Sequence, residues 1–149
     1  MTRRPGRPTP GNRDEKSRFV YGPVPSRRLG FSLGVDIIPF KTCTLNCVYC
    51  QLGPTVRTAI RRRSFFPPAE ILAQIREAVR SRRRIDFITF SGSGEPTLNR
   101  DLGLLIRAIK GMTSIPVAVL TNATLLFRKD VRRDLLAADL VVPSFDVYI

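Results

Sequence analysis

No histidine occurs in the 149 residues, cysteine occurs only three times, and 12 acidic residues face 25 lysines and arginines. Each shortage excludes something. No run approaches the roughly 18–20 apolar residues that a membrane span needs. The N-terminal stretch, rich in Arg, Pro and Gly, lacks the apolar core of a secretory signal. The default expectation is therefore a cytoplasmic protein with no membrane partner. All three cysteines fall within eight residues, Cys43 to Cys50, which suits a metal or reactive cluster and not an extracellular disulfide framework. The length allows one packed domain and is short for two.

The net charge of +13 is unevenly placed. Residues 1–66 hold 13 basic and 3 acidic residues, and residues 67–149 hold 12 and 9. The excess thus lies in the N-terminal arm, in Arg57 and in Arg61–Arg63. Such an arm can steer an acidic partner such as RNA. The plainer reading is compositional, because 21 of the 25 basic residues are arginine and a charge run is weak evidence for a partner.

Residues 1–18 read as a disordered basic tail, since dense charge and little apolar content cannot offset the entropy of ordering. Tyr21–Gly30, with two prolines, reads as an extended, turning segment. A repeat then begins. Strands are predicted at Ser32–Ile38, Ile85–Phe90 and Ile115–Leu120, with a fourth starting over Leu140–Val142. Helices are predicted at Pro67–Arg83, from an Asn99 cap to Met112, and at Lys129–Ala138. Their apolar residues, such as Ile71, Ile75, Leu102, Leu105 and Ile109, recur at helical spacing. Alternating short apolar strands and helices predict an α/β fold with a parallel sheet. A β/α barrel uses about 31 residues per unit, so residues 32–149 allow about four units.

The chemistry sits directly after the first predicted strand, in Phe40-Lys41-Thr42-Cys43-Thr44-Leu45-Asn46-Cys47-Val48-Tyr49-Cys50. A closed zinc site takes four Cys or His ligands, and this chain has neither a histidine nor a fourth cysteine. An iron–sulfur cluster also usually takes four thiolates. Three would leave one iron open for a substrate or cofactor. The other predicted strands lead into Ser91-Gly92-Ser93-Gly94-Glu95-Pro96, into Thr121-Asn122, and into Ser144 and Asp146. Ligands on parallel α/β folds gather at these carboxyl ends.

The CxxxCxxC spacing, with an aromatic before the last cysteine, resembles the radical S-adenosylmethionine (SAM) superfamily. The text GPVPSRRLGFSLGVDIIPFKTCTLNCVYCQLG is similar to a group of Fe–S oxidoreductases distantly related to wyosine-type tRNA-modifying enzymes. The resemblance runs from Tyr21 to Asp146. It implies a 4Fe–4S cluster on Cys43, Cys47 and Cys50, with SAM chelating the fourth iron and Tyr49 near the adenine. Ser93-Gly94-Glu95-Pro96 resembles the family's Gly-Gly-Glu-Pro motif at the SAM amino group, with Ser93 in place of a glycine. Thr121-Asn122 resembles a Thr-Asn-Gly segment, with Ala123 where glycine is usual. Ser144 resembles a polar residue facing the SAM ribose or carboxylate.

The activity so implied is reductive cleavage of SAM to methionine and a 5′-deoxyadenosyl radical, which abstracts hydrogen from a substrate. It requires an electron donor of flavodoxin or ferredoxin type, and Lys41 together with the Arg-rich flank would ease electron entry. The substrate is open, with RNA one option. The implied fold is a partial (β/α)6 TIM-like barrel, of which residues 19–149 would form the N-terminal part. A chain of this length would then be marginally stable and catalytically weak alone. The competing readings are a zinc- or cluster-binding nucleic-acid module without catalysis, and an inactive fragment that keeps the cluster.

Overall fold

A computed structural model of the chain describes residues 18–144. The expected tail up to residue 17, together with Asp146 and the last three residues, lies outside the described residues. In chain order the elements are β1 (Val20–Ser26), β2 (Gly30–Val35), the two-residue strands β3 (Thr42–Cys43) and β4 (Arg57–Thr58), α1 (Pro68–Arg80) and β5 (Phe87–Phe90). A 3-10 turn at Pro96–Leu98 follows, then α2 (Leu102–Met112), β6 (Val117–Thr121), α3 (Lys129–Leu135) and β7 (Leu140–Pro143).

Five strands form one sheet in the order β1-β2-β5-β6-β7, while β3 and β4 pair separately. β2, β5, β6 and β7 run parallel. This is the mixed α/β architecture expected, with α1, α2 and α3 as the crossovers. Among the described residues the sheet has two edges, β1 and β7, and is not closed into a barrel. Among the described residues no helix is long and apolar enough to cross a membrane.

The extra strand is β1, which pairs antiparallel with β2 in the segment expected to be extended and turning. Its register shifts between Tyr21 and Val24. Pro23 and Pro25 exclude a helix here, while prolines are tolerated at a sheet edge and at bulges, and β1 is such an edge. Tyr21 lies across Gly34 of β2, where a Cβ would overlap the ring. That contact gives the edge strand a fixed seat.

The helices pack because their apolar faces meet the same sheet. Ile71 and Ile75 of α1, Leu102, Leu105, Ile106 and Ile109 of α2, and Val131 and Leu135 of α3 join Leu33, Val35, Ile88, Phe90, Val117 and Val119 in one core. Pro67 and Pro68 open α1 as expected, but the helix stops at Arg80. Ser81 caps it, its backbone N–H bonding the Ala78 carbonyl, and Arg82 takes a positive φ of 58°.

Asn99 does not cap α2. It is fully buried and follows the 3-10 turn, and its Nδ2 donates to the Ile37 carbonyl at 3.0 Å. Its Oδ1 accepts from the Asp101 N–H at 2.8 Å, one step before the helix begins. A side chain that can both donate and accept is therefore used to tie β2's exit to the α2 entry.

Candidate functional site

Four parallel strands end on one rim, and the segments that leave them enclose a cleft of about 230 Å³. After β2 the chain passes Asp36 and turns at Lys41 into the cysteine loop. Lys41 has a φ of 59°, a left-handed conformation that costs a side chain roughly 1–2 kcal/mol. Its neighbours hold it there. Its N–H donates to the Ser93 carbonyl at 2.8 Å, and its own carbonyl accepts from Val56 and Arg57 at 3.0 and 3.1 Å.

Cys43, Cys47 and Cys50 all line the cleft, each partly exposed. The loop between them is fastened at two points. The Thr55 hydroxyl donates to the Leu45 carbonyl at 2.6 Å, and the Thr44 and Thr124 hydroxyls share a hydrogen bond at 2.6 Å. Lys41 Nζ donates to Cys50 Sγ at 3.2 Å. The backbone N–H of Leu52, followed by the Lys41 side chain, pulls the Cys50 thiol below its ordinary value. Both donors favour the thiolate.

The segment after β5 forms the opposite wall, with Ser93, Gly94, Glu95 and Pro96 all lining the cleft. Two glycines are needed here. Gly92 has a φ of 139° and no room for a Cβ beside Asp36, and a Cβ on Gly94 would overlap the Thr42 carbonyl oxygen. The positive φ thus falls on Gly92 and not on Ser93, so the serine in the glycine-rich motif is accommodated without backbone strain. Its hydroxyl donates to Asp36.

Glu95 is buried rather than solvated. Its Oε1 accepts from the hydroxyls of Thr97 and Thr121 at 2.7 and 2.5 Å, and its Oε2 accepts from the Asn122 N–H at 2.8 Å. The carboxylate therefore binds the β5 exit to the β6 exit.

Thr121 and Asn122 also line the cleft, and Ser144 lies at its edge beyond β7, its N–H bonded to the Thr121 carbonyl at 2.8 Å. The Asn122 amide works inside the wall. Its Nδ2 donates to Thr44 Oγ1 at 2.8 Å and approaches Cys43 Sγ at 3.5 Å, while its Oδ1 accepts from the Thr124 hydroxyl at 2.7 Å. Tyr49 is the expected residue that stands apart. It is 52% exposed and is not among the cleft-lining residues.

Sequence reasoning passed over Asp36, Thr44 and Thr124. Asp36 did carry a signal, as a carboxylate interrupting the apolar run of the first strand. Of the basic cluster at 61–63, Arg62 is unavailable to an outside phosphate. Its side chain is buried and bonds the Thr97 and Asn99 carbonyls at 2.6 and 3.0 Å and the carboxylates of Asp130 and Asp134 at 3.0 and 2.6 Å.

The radical SAM superfamily model matches residues 37–147, which is most of the chain and contains every residue that lines the cleft. The chain belongs to the radical SAM superfamily. Over 131 residues the chain is 45% identical to UPF0026 protein MJ1312 of Methanocaldococcus jannaschii, covering 87% of this chain and 40% of that one. It is 46% identical over 128 residues to UPF0026 protein slr1464 of Synechocystis, covering 85% and 48%. A Brachyspira hyodysenteriae protein named GTPase Obg is 51% identical over 131 residues, covering 88% of this chain but 19% of that protein. The chain thus spans less than half the length of these relatives. No solved structure matches.

Radical SAM proteins normally carry a 4Fe–4S cluster and SAM, and the donor set suits them. Among the described residues no three Cys, Asp or Glu side chains gather tightly enough to hold one metal ion. A closed mononuclear zinc site takes four Cys or His ligands, and this chain has three cysteines and no histidine. A cluster presents separate irons to separate thiolates, and all three cysteines line one cleft here. The sulfur of Cys50 meets an ammonium and backbone N–H groups, as an anionic ligand requires. Gly94 keeps the facing wall at bare backbone.

Proposed function

We propose that Cys43, Cys47 and Cys50 hold a 4Fe–4S cluster and that SAM docks between this cluster and the wall formed by Ser93–Pro96, Thr121, Asn122 and Ser144. The supporting observation is the shared cleft. Three thiols and the glycine-containing turn face one another at the carboxyl ends of parallel strands, where α/β folds take their ligands. Bound together, the cluster and SAM supply one-electron cleavage of the sulfonium to methionine and a 5′-deoxyadenosyl radical. The chain's own residues orient and shield. Gly92 and Gly94 let backbone approach the ligand, Glu95 holds both wall segments at fixed spacing, and Lys41 and Asn122 each donate toward a cysteine sulfur. The substrate is a molecule that yields a hydrogen atom to that radical, and the electron comes from a donor of flavodoxin or ferredoxin type. In this reading the four parallel strands are an arc of a partial (β/α)6 barrel, and residues 19–149 are the N-terminal part of the radical SAM core.

Anaerobic reconstitution with iron and sulfide tests the proposal. The expected protein is brown and holds about four irons per chain, and its reduced EPR signal changes on adding SAM. With dithionite and SAM it releases 5′-deoxyadenosine. A colourless protein, or a cubane signal indifferent to SAM, would overturn the assignment.

A further inference from the structure

Lys41 is 3% exposed, yet its side chain reaches the cleft. Among the described residues no carboxylate forms an ion pair with it, and its amine is directed at Cys50 Sγ, 3.2 Å away. A buried ammonium demands a compensating anion. Here the anion on offer is a cysteine sulfur. The backbone keeps Lys41 in a left-handed conformation through three hydrogen bonds, and strain held this firmly tends to gather at functional sites. At the other end of the cysteine loop, Cys43 receives a longer contact, 3.5 Å, from the neutral amide of Asn122. Of these two hydrogen bonds to cysteine sulfurs, the one to Cys50 comes from a charged group and the one to Cys43 from a neutral amide.

We propose that Lys41 sets the reduction potential of the centre held by the cysteine loop, by placing a fixed positive charge against the Cys50 sulfur. The inference rests on the cluster reading given above. Adding one electron from an external one-electron reductant raises the negative charge shared by the cluster and its thiolates. A cation 3.2 Å from one of those sulfurs stabilises the reduced form more than the oxidised form. Net charge and hydrogen bonds to sulfur are the main levers by which a protein tunes such potentials. Lys41 therefore makes the centre easier to reduce, and its place in the loop is electrostatic as well as structural.

The test is an EPR-monitored redox titration of the reconstituted full chain, native and as Lys41→Met, Lys41→Gln and Lys41→Arg, with iron content and circular dichroism measured alongside. Lys41→Met and Lys41→Gln should each lower the ratio of reduced to oxidised cluster at least tenfold at a fixed potential, which is 59 mV for one electron. Lys41→Arg should stay close to native, and Lys41→Gln separates loss of charge from loss of the hydrogen bond. Coincident potentials for native, Met and Gln forms would overturn the proposal and leave the cluster reading standing. Iron retained by Lys41→Arg but lost by both neutral variants would also overturn it, because the charge would then act on assembly. A native chain that forms no cubane takes down both readings.

Discussion

Glu95 holds Asn122 by its backbone, the N–H lying 2.8 Å from Oε2, while Oε1 takes the hydroxyls of Thr97 and Thr121. One buried carboxylate thus fixes the distance between two walls of the cleft. Glutamine in its place has a similar shape but only one accepting oxygen. Its NH2 group would face either the Asn122 N–H or the Thr97 N–H, donor against donor. Hydrogen bonds to charged groups contribute about 1.5–3 kcal/mol each, and an unpaired buried donor costs about 1–3 kcal/mol. Glu95→Gln should lower stability by about 2–3 kcal/mol in urea unfolding of the apoprotein. An unchanged midpoint would show that the carboxylate is not the tie between the two walls.

Ala123 stands where the resembled Thr-Asn-Gly segment has glycine, and its φ is 67°. The left-handed conformation is thus kept while the residue that favours it is missing. Its N–H donates to Thr121 Oγ1 at 3.1 Å, which helps hold the turn. Removing the Cβ relieves roughly 1–2 kcal/mol of strain. The greater freedom of glycine in the unfolded chain takes back about 0.4–1 kcal/mol. Ala123→Gly should therefore stabilise the chain by up to about 1 kcal/mol, and Ala123→Val should destabilise it by a similar or larger amount. Matching thermal midpoints for all three would argue that the turn relaxes to a negative φ.

The sequence made the parallel core legible because short β-branched runs and helical apolar spacing each repeat cleanly, as in Ile85–Phe90 and in Leu102 through Ile109. The cysteine loop was legible for a different reason, since three thiols at close spacing without a fourth ligand admit few structures. What stayed hidden depends on contacts remote in sequence. β1 is seated by Tyr21 against Gly34, and no local pattern announces that. Arg62 reads as one of three consecutive surface arginines until Asp130 and Asp134, some seventy residues on, arrive beside it. Glu95 read as part of a cofactor-contacting motif, and its burial follows only from the fold bringing Thr121 and Asn122 over it.

Arg62 anchors α3 to the segment beneath the cleft, with a side chain only 4% exposed between Asp130 and Asp134. Breaking a buried pair by removing one partner costs about 3–5 kcal/mol, because it leaves a charge without compensation. Arg62→Met should cost that much. Arg62→Lys should recover only part of it, since one ammonium cannot reach two carbonyls and two carboxylates at once. The same arrangement predicts an acid response. The Arg128 side chain, followed by Arg62, holds the Asp130 carboxyl far below its ordinary value. A carboxylate depressed on folding adds stability in full above its unfolded pKa, about 3.9, and loses that increment as pH falls toward the folded value. The urea midpoint should therefore decline as pH drops below about 4. In Asp130→Asn the decline should be shallower, starting from a lower plateau at neutral pH. Equal slopes in the two proteins would assign the acid response to other carboxylates, with Asp139 the next to examine, since Lys110 and the Val117 N–H hold it below its ordinary value as well.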